Sequence, residues 1–160
     1  MANIIFEDTT GNNYGRKTWI FTILTGLALG VIYWLLSRLL HEYAVQPLLC
    51  QLWQTSGVCT DSREIAGHVA TILVAVIGLF VTVKLRIFRP LLVVVAVAAT
   101  LWGLSEWLQG LRWPEAVAYS ALLYALGYAL FSWVTRGRSL IAVTIIILVI
   151  VAIARILFLL

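Results

Sequence analysis

Apolar residues run in long, nearly uninterrupted blocks along this chain, and the polar ones collect between them. Five blocks stand out, at residues 18–40, 65–83, 90–109, 114–134 and 140–160, with a polar stretch over 41–64. A hydrocarbon core about 30 Å thick takes about 20 apolar residues of helix, so each block reads as one crossing. Backbone N–H and C=O groups in lipid must be paired within the segment, which favours helices over open strands. The β-branched run in the last block (Ile145, Ile146, Ile147, Val149, Ile150, Val151) does not alternate with polar residues, as a barrel strand would. The expected fold is therefore all-α: a polytopic membrane bundle of five transmembrane helices forming a single domain over 1–160. The first block exceeds the roughly 7–15 residues of a secretory h-region and runs on into Ser37-Arg38-Leu39-Leu40-His41, so it reads as an uncleaved helix.

Composition agrees. Hydrophobic residues, glycine not counted, make up 62% of the chain and charged residues 11%, against about 45–50% with glycine included and about 25% in soluble domains. So few charges cannot cover a water-facing surface. Disorder, a secreted disulfide-rich domain and a nucleic-acid module are excluded on the same grounds.

The net charge of +4 then becomes a statement about topology. With alternating crossings, Arg16, Lys17, Lys84, Arg86, Arg89, Arg136 and Arg138 share one side. Counting Glu7 and Asp8 with them leaves +5 there and −1 on the other side, together the chain's +4. Short cytoplasmic loops are the ones enriched in Lys and Arg. The amino terminus is expected inside, the carboxyl terminus outside, and the location a cell membrane (the inner one in a bacterium). Pro90 and Pro114 fall at the first positions of their helices, where a missing N–H is harmless. Pro47 can open a short helix within 41–64. No proline interrupts a block, so broken-helix transporter architecture has no support, though Gly26, Gly30, Gly78, Gly103 and Gly127 leave it formally open. Residues 1–15 are expected to be flexible.

Both cysteines, Cys50 and Cys59, lie in the long loop on the face assigned as outside, where a disulfide is permitted if that face is oxidising. Leu48, Leu49, Leu52 and Trp53 give this loop a short apolar face to lie on the bilayer. The ionisable residues in or beside the spans gather at the same boundary and make a candidate polar cluster: Arg38, His68, Glu106, Arg112 and Arg155. Arginines there can snorkel to the headgroups. Glu106, too short to do so well, is expected to pair with Arg38, Arg112 or Arg155. His41 and His68 flank the loop and are candidate haem or metal ligands, although neither stands at HxxxH or HxxE spacing. No catalytic constellation is found: there is no Gly-x-Ser-x-Gly elbow and no phosphate-cradling glycine loop. No cofactor is expected.

Helices in lipid associate through small residues that let backbones approach. Candidate packing positions are Gly26 and Gly30 in the first helix, Gly67, Thr71 and Ala75 in the second, Ala99 and Gly103 in the third, and Ala121 and Ala125 in the fourth. The fifth helix is almost wholly large aliphatic and is expected at the periphery. Trp19 and Trp133 map to the inner interface, and Trp53, Trp107 and Trp113 to the outer one. The functional expectation is a non-enzymatic subunit, scaffold or oligomeric building block, with the bilayer, further copies or other membrane subunits as partners and no nucleic acid. The alternatives are a small oligomeric channel or transporter lined by Thr22, Thr71, Thr100, Tyr124 and Glu106, and a haem or metal carrier on His41 and His68.

Overall fold

The computed structural model describes residues 11–48, 62–84, 89–135 and 140–159, with the side chains at 11–18, 140, 155 and 157–159 left out. All the secondary structure among the described residues is helical: α1 (Gly11–Leu39), a π-helical turn (Leu40–Val45), α2 (Ser62–Lys84), α3 (Pro90–Thr100), α4 (Leu104–Trp107), α5 (Trp113–Val134) and α6 (Leu140–Leu159). Three helical stretches are long and apolar enough to cross a membrane: Trp19–Leu48, Ser62–Lys84 and Trp113–Val134. The predicted loop helix, Cys50, Cys59 and their disulfide lie outside the described residues, as does most of the predicted flexible tail.

Two boundaries differ from the sequence expectation. The first helix already includes Gly11, the first described residue, and does not stop at Leu40. It runs on through the π turn, where the Gln46 N–H donates to the His41 carbonyl five residues back, and reaches Leu48. Pro47, expected to open a new helix, is instead part of this one. Proline has no N–H to give to the carbonyl four residues back, and a widened turn just before it lets the helix absorb that loss. The second difference is in the third apolar block. α3 stops at Thr100 after 11 residues, about 16 Å of helix at 1.5 Å per residue, which is half a hydrocarbon core. Leu101–Gly103 form a turn with Gly103 at φ 89°, and the short α4 follows. Only glycine takes that left-handed geometry without a Cβ penalty, so Gly103 ends the helix and is not a small residue on a continuous helical face.

The bundle is organised by α1. Ideal Cβ atoms built on Gly26 and Gly30 would lie 2.6 Å from the Ala125 Cα and 2.5 Å from the Ala121 Cα. The paired numbers run in opposite directions, so α1 and α5 are antiparallel with their backbones nearly touching. On its other side α1 meets α2, where Leu29 lies beside Gly78 and Tyr33 beside Gly67, again antiparallel. α3 packs between α2 and α5, and α6 rests on α3 and α5. Val143 and Ile147 are the buried apolar side chains described on α6, which puts that helix at the edge of the bundle.

Hydroxyls in this interior are mostly taken up by their own helices. Thr71 Oγ1 donates to the Gly67 carbonyl at 2.9 Å, Thr82 to Gly78 at 2.8 Å and Thr100 to Ala96 at 2.7 Å. Ser120 and Ser132 donate to carbonyls three residues back. Such back-bonding satisfies a polar side chain where no water reaches.

Candidate functional site

A group of described polar side chains meets at one end of the bundle. There the end of α1, the π turn, the start of α2, α4 and the start of α5 enclose a cleft of about 320 Å³. α1 contributes Trp34, Ser37 and Arg38; the π turn contributes His41 and Glu42, and Gln46 follows. α2 adds Arg63 and α4 adds Ser105, while Leu108, Leu111, Trp113 and Ala116 give the opposite wall an apolar character. Seven of the twelve lining residues are polar, and the other five can cover hydrocarbon.

The charges have a definite arrangement. Arg38 Nε lies 3.3 Å from Glu42 Oε1, one helical turn on, and the Arg38 guanidinium stands 5.8 Å from the centre of the Trp34 ring. Both members of the pair are about half exposed, so the bridge adds at most about 1 kcal/mol. Its consequence is positional: Glu42 and Trp34 hold the guanidinium at the mouth with most of its five N–H donors unused. Arg63, exposed at the other side, forms no ion pair among the described residues.

Behind the lining lies a different kind of polarity. Ser105 Oγ, His41 Nδ1 and Tyr33 Oη are each buried without a hydrogen-bond partner. Thr71 and Ser105 neighbour the Tyr33 phenol but do not meet it in hydrogen-bond geometry. An unmet buried polar atom costs roughly 1–3 kcal/mol, and two of these atoms, Ser105 Oγ and Tyr33 Oη, lie together against Gly67. Gly67 makes the arrangement possible, because a Cβ there would sit 2.3 Å from Ser105 Oγ and 2.4 Å from its Cβ. The small residues of α2 thus make room for hydroxyl-bearing side chains: Gly78 likewise lies under the Tyr128 hydroxyl, 2.2 Å from a built Cβ.

Of the four described side chains expected in a polar cluster, Arg38 lines this cleft and His68, Glu106 and Arg112 do not. His68 stacks on Trp102 instead, with ring centroids 4.7 Å apart and planes 19° apart, and its Nε2 is 4.0 Å from Glu64 Oε1. Glu106 is exposed and forms no ion pair among the described residues, so the expected bridge to Arg38 is replaced by Arg38–Glu42. Arg112 is exposed at the start of α5, where its backbone N–H donates to Glu115 Oε2 at 3.3 Å. The Arg155 side chain lies outside the described residues. His41 lines the cleft and His68 does not. Among the described residues no three His, Cys, Asp or Glu side chains are grouped as metal ligands.

The residues that sequence reasoning passed over are Ser37, Glu42, Gln46, Arg63 and Ser105. A signal for some of them existed. Positions 34, 37, 38 and 41 follow helical spacing and trace one polar face, but the face was cut by a helix end placed at Leu40. Ser105 had no such signal, because its burial depends on the turn at Gly103. No known protein family, curated protein or solved structure matches this chain.

Proposed function

We propose that this chain is a five-span protein of the cell membrane (the inner membrane in a bacterium), with its amino terminus in the cytoplasm and its carboxyl terminus outside. In this reading it works without chemistry of its own, as a subunit or scaffold that joins further copies or other membrane subunits. The antiparallel pairing of α1 with both α2 and α5 supports alternating crossings. The α3–α4 segment then makes the third crossing as a broken helix, and α6, 20 residues long, makes the fifth. A reporter pair fused after Leu160 tests the orientation: a phosphatase that needs an oxidising compartment should be active, and a cytoplasm-dependent fluorescent protein dark. The reverse pattern removes the orientation and the span count with it.

The subunit reading is carried by one observation. Because α6 touches its neighbours along so little of its length, an apolar groove of about 750 Å³ opens between α3, α5 and α6. Leu126, Gly127 and Leu130 of α5, Ile150 and Ala154 of α6, and Val97 and Thr100 of α3 line it, with Trp19, Trp107 and Trp133 also contributing. Gly127, Ala129 and Ala154 lie among its large side chains, small residues of the kind that let helices approach in lipid. The Gly26 and Gly30 motif does not add to this argument, since both glycines are already packed against α5 of the same chain.

Size analysis in mild detergent is expected to show an oligomer or a co-purifying membrane partner. Gly127→Leu, which fills the groove where a Cβ would sit an ordinary 3.4 Å from Val97 Cγ2, is expected to dissociate the assembly with little change in thermal midpoint. A wild-type protein that runs as a monomer with nothing bound would end the subunit reading.

A further inference from the structure

The cleft at the end of the bundle is not used by the reading above. Its donors exceed what its own acceptors can satisfy. Two guanidiniums border a single described carboxylate, Glu42, which is already engaged by Arg38. Among the described residues Arg63 has no ion pair.

We propose that this cleft binds a phosphate ester, held by Arg38 and Arg63. The planar guanidinium fork matches phosphate oxygens two at a time, and the non-ester oxygens accept more hydrogen bonds than a carboxylate offers. A carboxylate ligand gains less from so many donors. The volume also decides between ligands. About 320 Å³ lies at the small end of ligand sites, larger than a bare phosphate needs and suited to a phosphate with a short organic substituent. Leu108, Leu111 and Trp113 on the apolar wall meet that substituent.

Two sources supply this chemistry: a phospholipid headgroup and a soluble phosphate ester. The position at the end of α1 favours the first. From Trp19 to Arg38 is about 30 Å of helix, one hydrocarbon thickness, which places Arg38 at headgroup level. Trp34 and Trp113 border the cleft as interfacial aromatics do.

The test uses the full-length protein in neutral detergent and reads both the thermal midpoint and ligand retention by native mass spectrometry. Dihexanoyl-phosphatidylglycerol, a monoglyceride of equal chain length and inorganic phosphate are titrated separately. The phosphatidylglycerol is expected to raise the midpoint and stay bound while the monoglyceride does neither. Arg38→Gln with Arg63→Gln should weaken its binding at least tenfold. Arg63→Gln alone, at an exposed position, should already weaken it several-fold. If inorganic phosphate protects as well as the lipid does, and through the same arginines, the recognised group stands and its source is soluble. Equal binding of lipid and monoglyceride overturns the proposal. So does wild-type affinity in Arg63→Gln, or no binding of any of the three probes.

Discussion

Valine at position 30 is expected to lower the thermal midpoint in detergent by several degrees or prevent folding outright. The built Cβ of Gly30 lies 2.5 Å from both the Ala121 Cα and the Ser120 carbonyl oxygen and 2.8 Å from the Ala121 nitrogen. All three are backbone atoms of α5, so no side-chain rotation relieves the clash. The two helices must separate by about an ångström or more. Overpacking of this kind costs about 1–3 kcal/mol in well-packed cores, and in lipid no hydrophobic gain draws parted helices back together. Gly26, one turn away and 2.6 Å from the Ala125 Cα by the same construction, would lose contact as the seam opens. Gly30→Ala should show a smaller loss of the same sign. Gly127→Ala is the control, since its Cβ would stand 3.4 Å from Val97 Cγ2. If Gly30→Val and Gly127→Ala melt together, the backbone-to-backbone seam is not what holds α1 to α5.

The second large effect is expected at Gly103. Its φ of 89° is open to glycine, costly for alanine and worst for a β-branched residue. Gly103→Val should destabilise the protein by roughly 1–3 kcal/mol, with Gly103→Ala intermediate and Gly103→Asn mildest, because Asn tolerates left-handed geometry. The order of the three carries the argument more than the size of any one. If Val costs no more than Asn, the chain does not need the turn, and a continuous helix through residues 101–103 is the better description. The same series reports on the cleft. Straightening the helix would swing Leu104 and Ser105, both buried, away from Gly67, so phosphatidylglycerol binding should fall in the same order as stability.

Several particulars were readable before any coordinates. Pro90 is the first residue of α3, and Pro114 stands in the first turn of α5, as the prolines imply. α6 at the edge follows from a segment with too few small residues to let another backbone approach. The site was much less legible. Glu106 drew attention as the carboxylate least able to snorkel, yet it lies just past the turn that Gly103 creates and faces outward. Glu42, in the polar stretch after the presumed helix end, is the residue that engages Arg38, because the helix carries on through its π turn and keeps the two one turn apart.

Hydropathy summed over about twenty residues determined that the chain is helical, with segments long and apolar enough to cross a membrane, and roughly where those segments lie. That follows because transfer of a segment into lipid is an additive property of its side chains. A single left-handed glycine, a turn widened ahead of a proline and a donor cluster drawn from several elements are not sums. Each depends on which atoms meet once the helices pack: Ser105 against Gly67, Gln46 N–H on the His41 carbonyl, Arg38 between Trp34 and Glu42. Only the assembled bundle determines those meetings, since the residues concerned are close in space for reasons that no window along the chain contains.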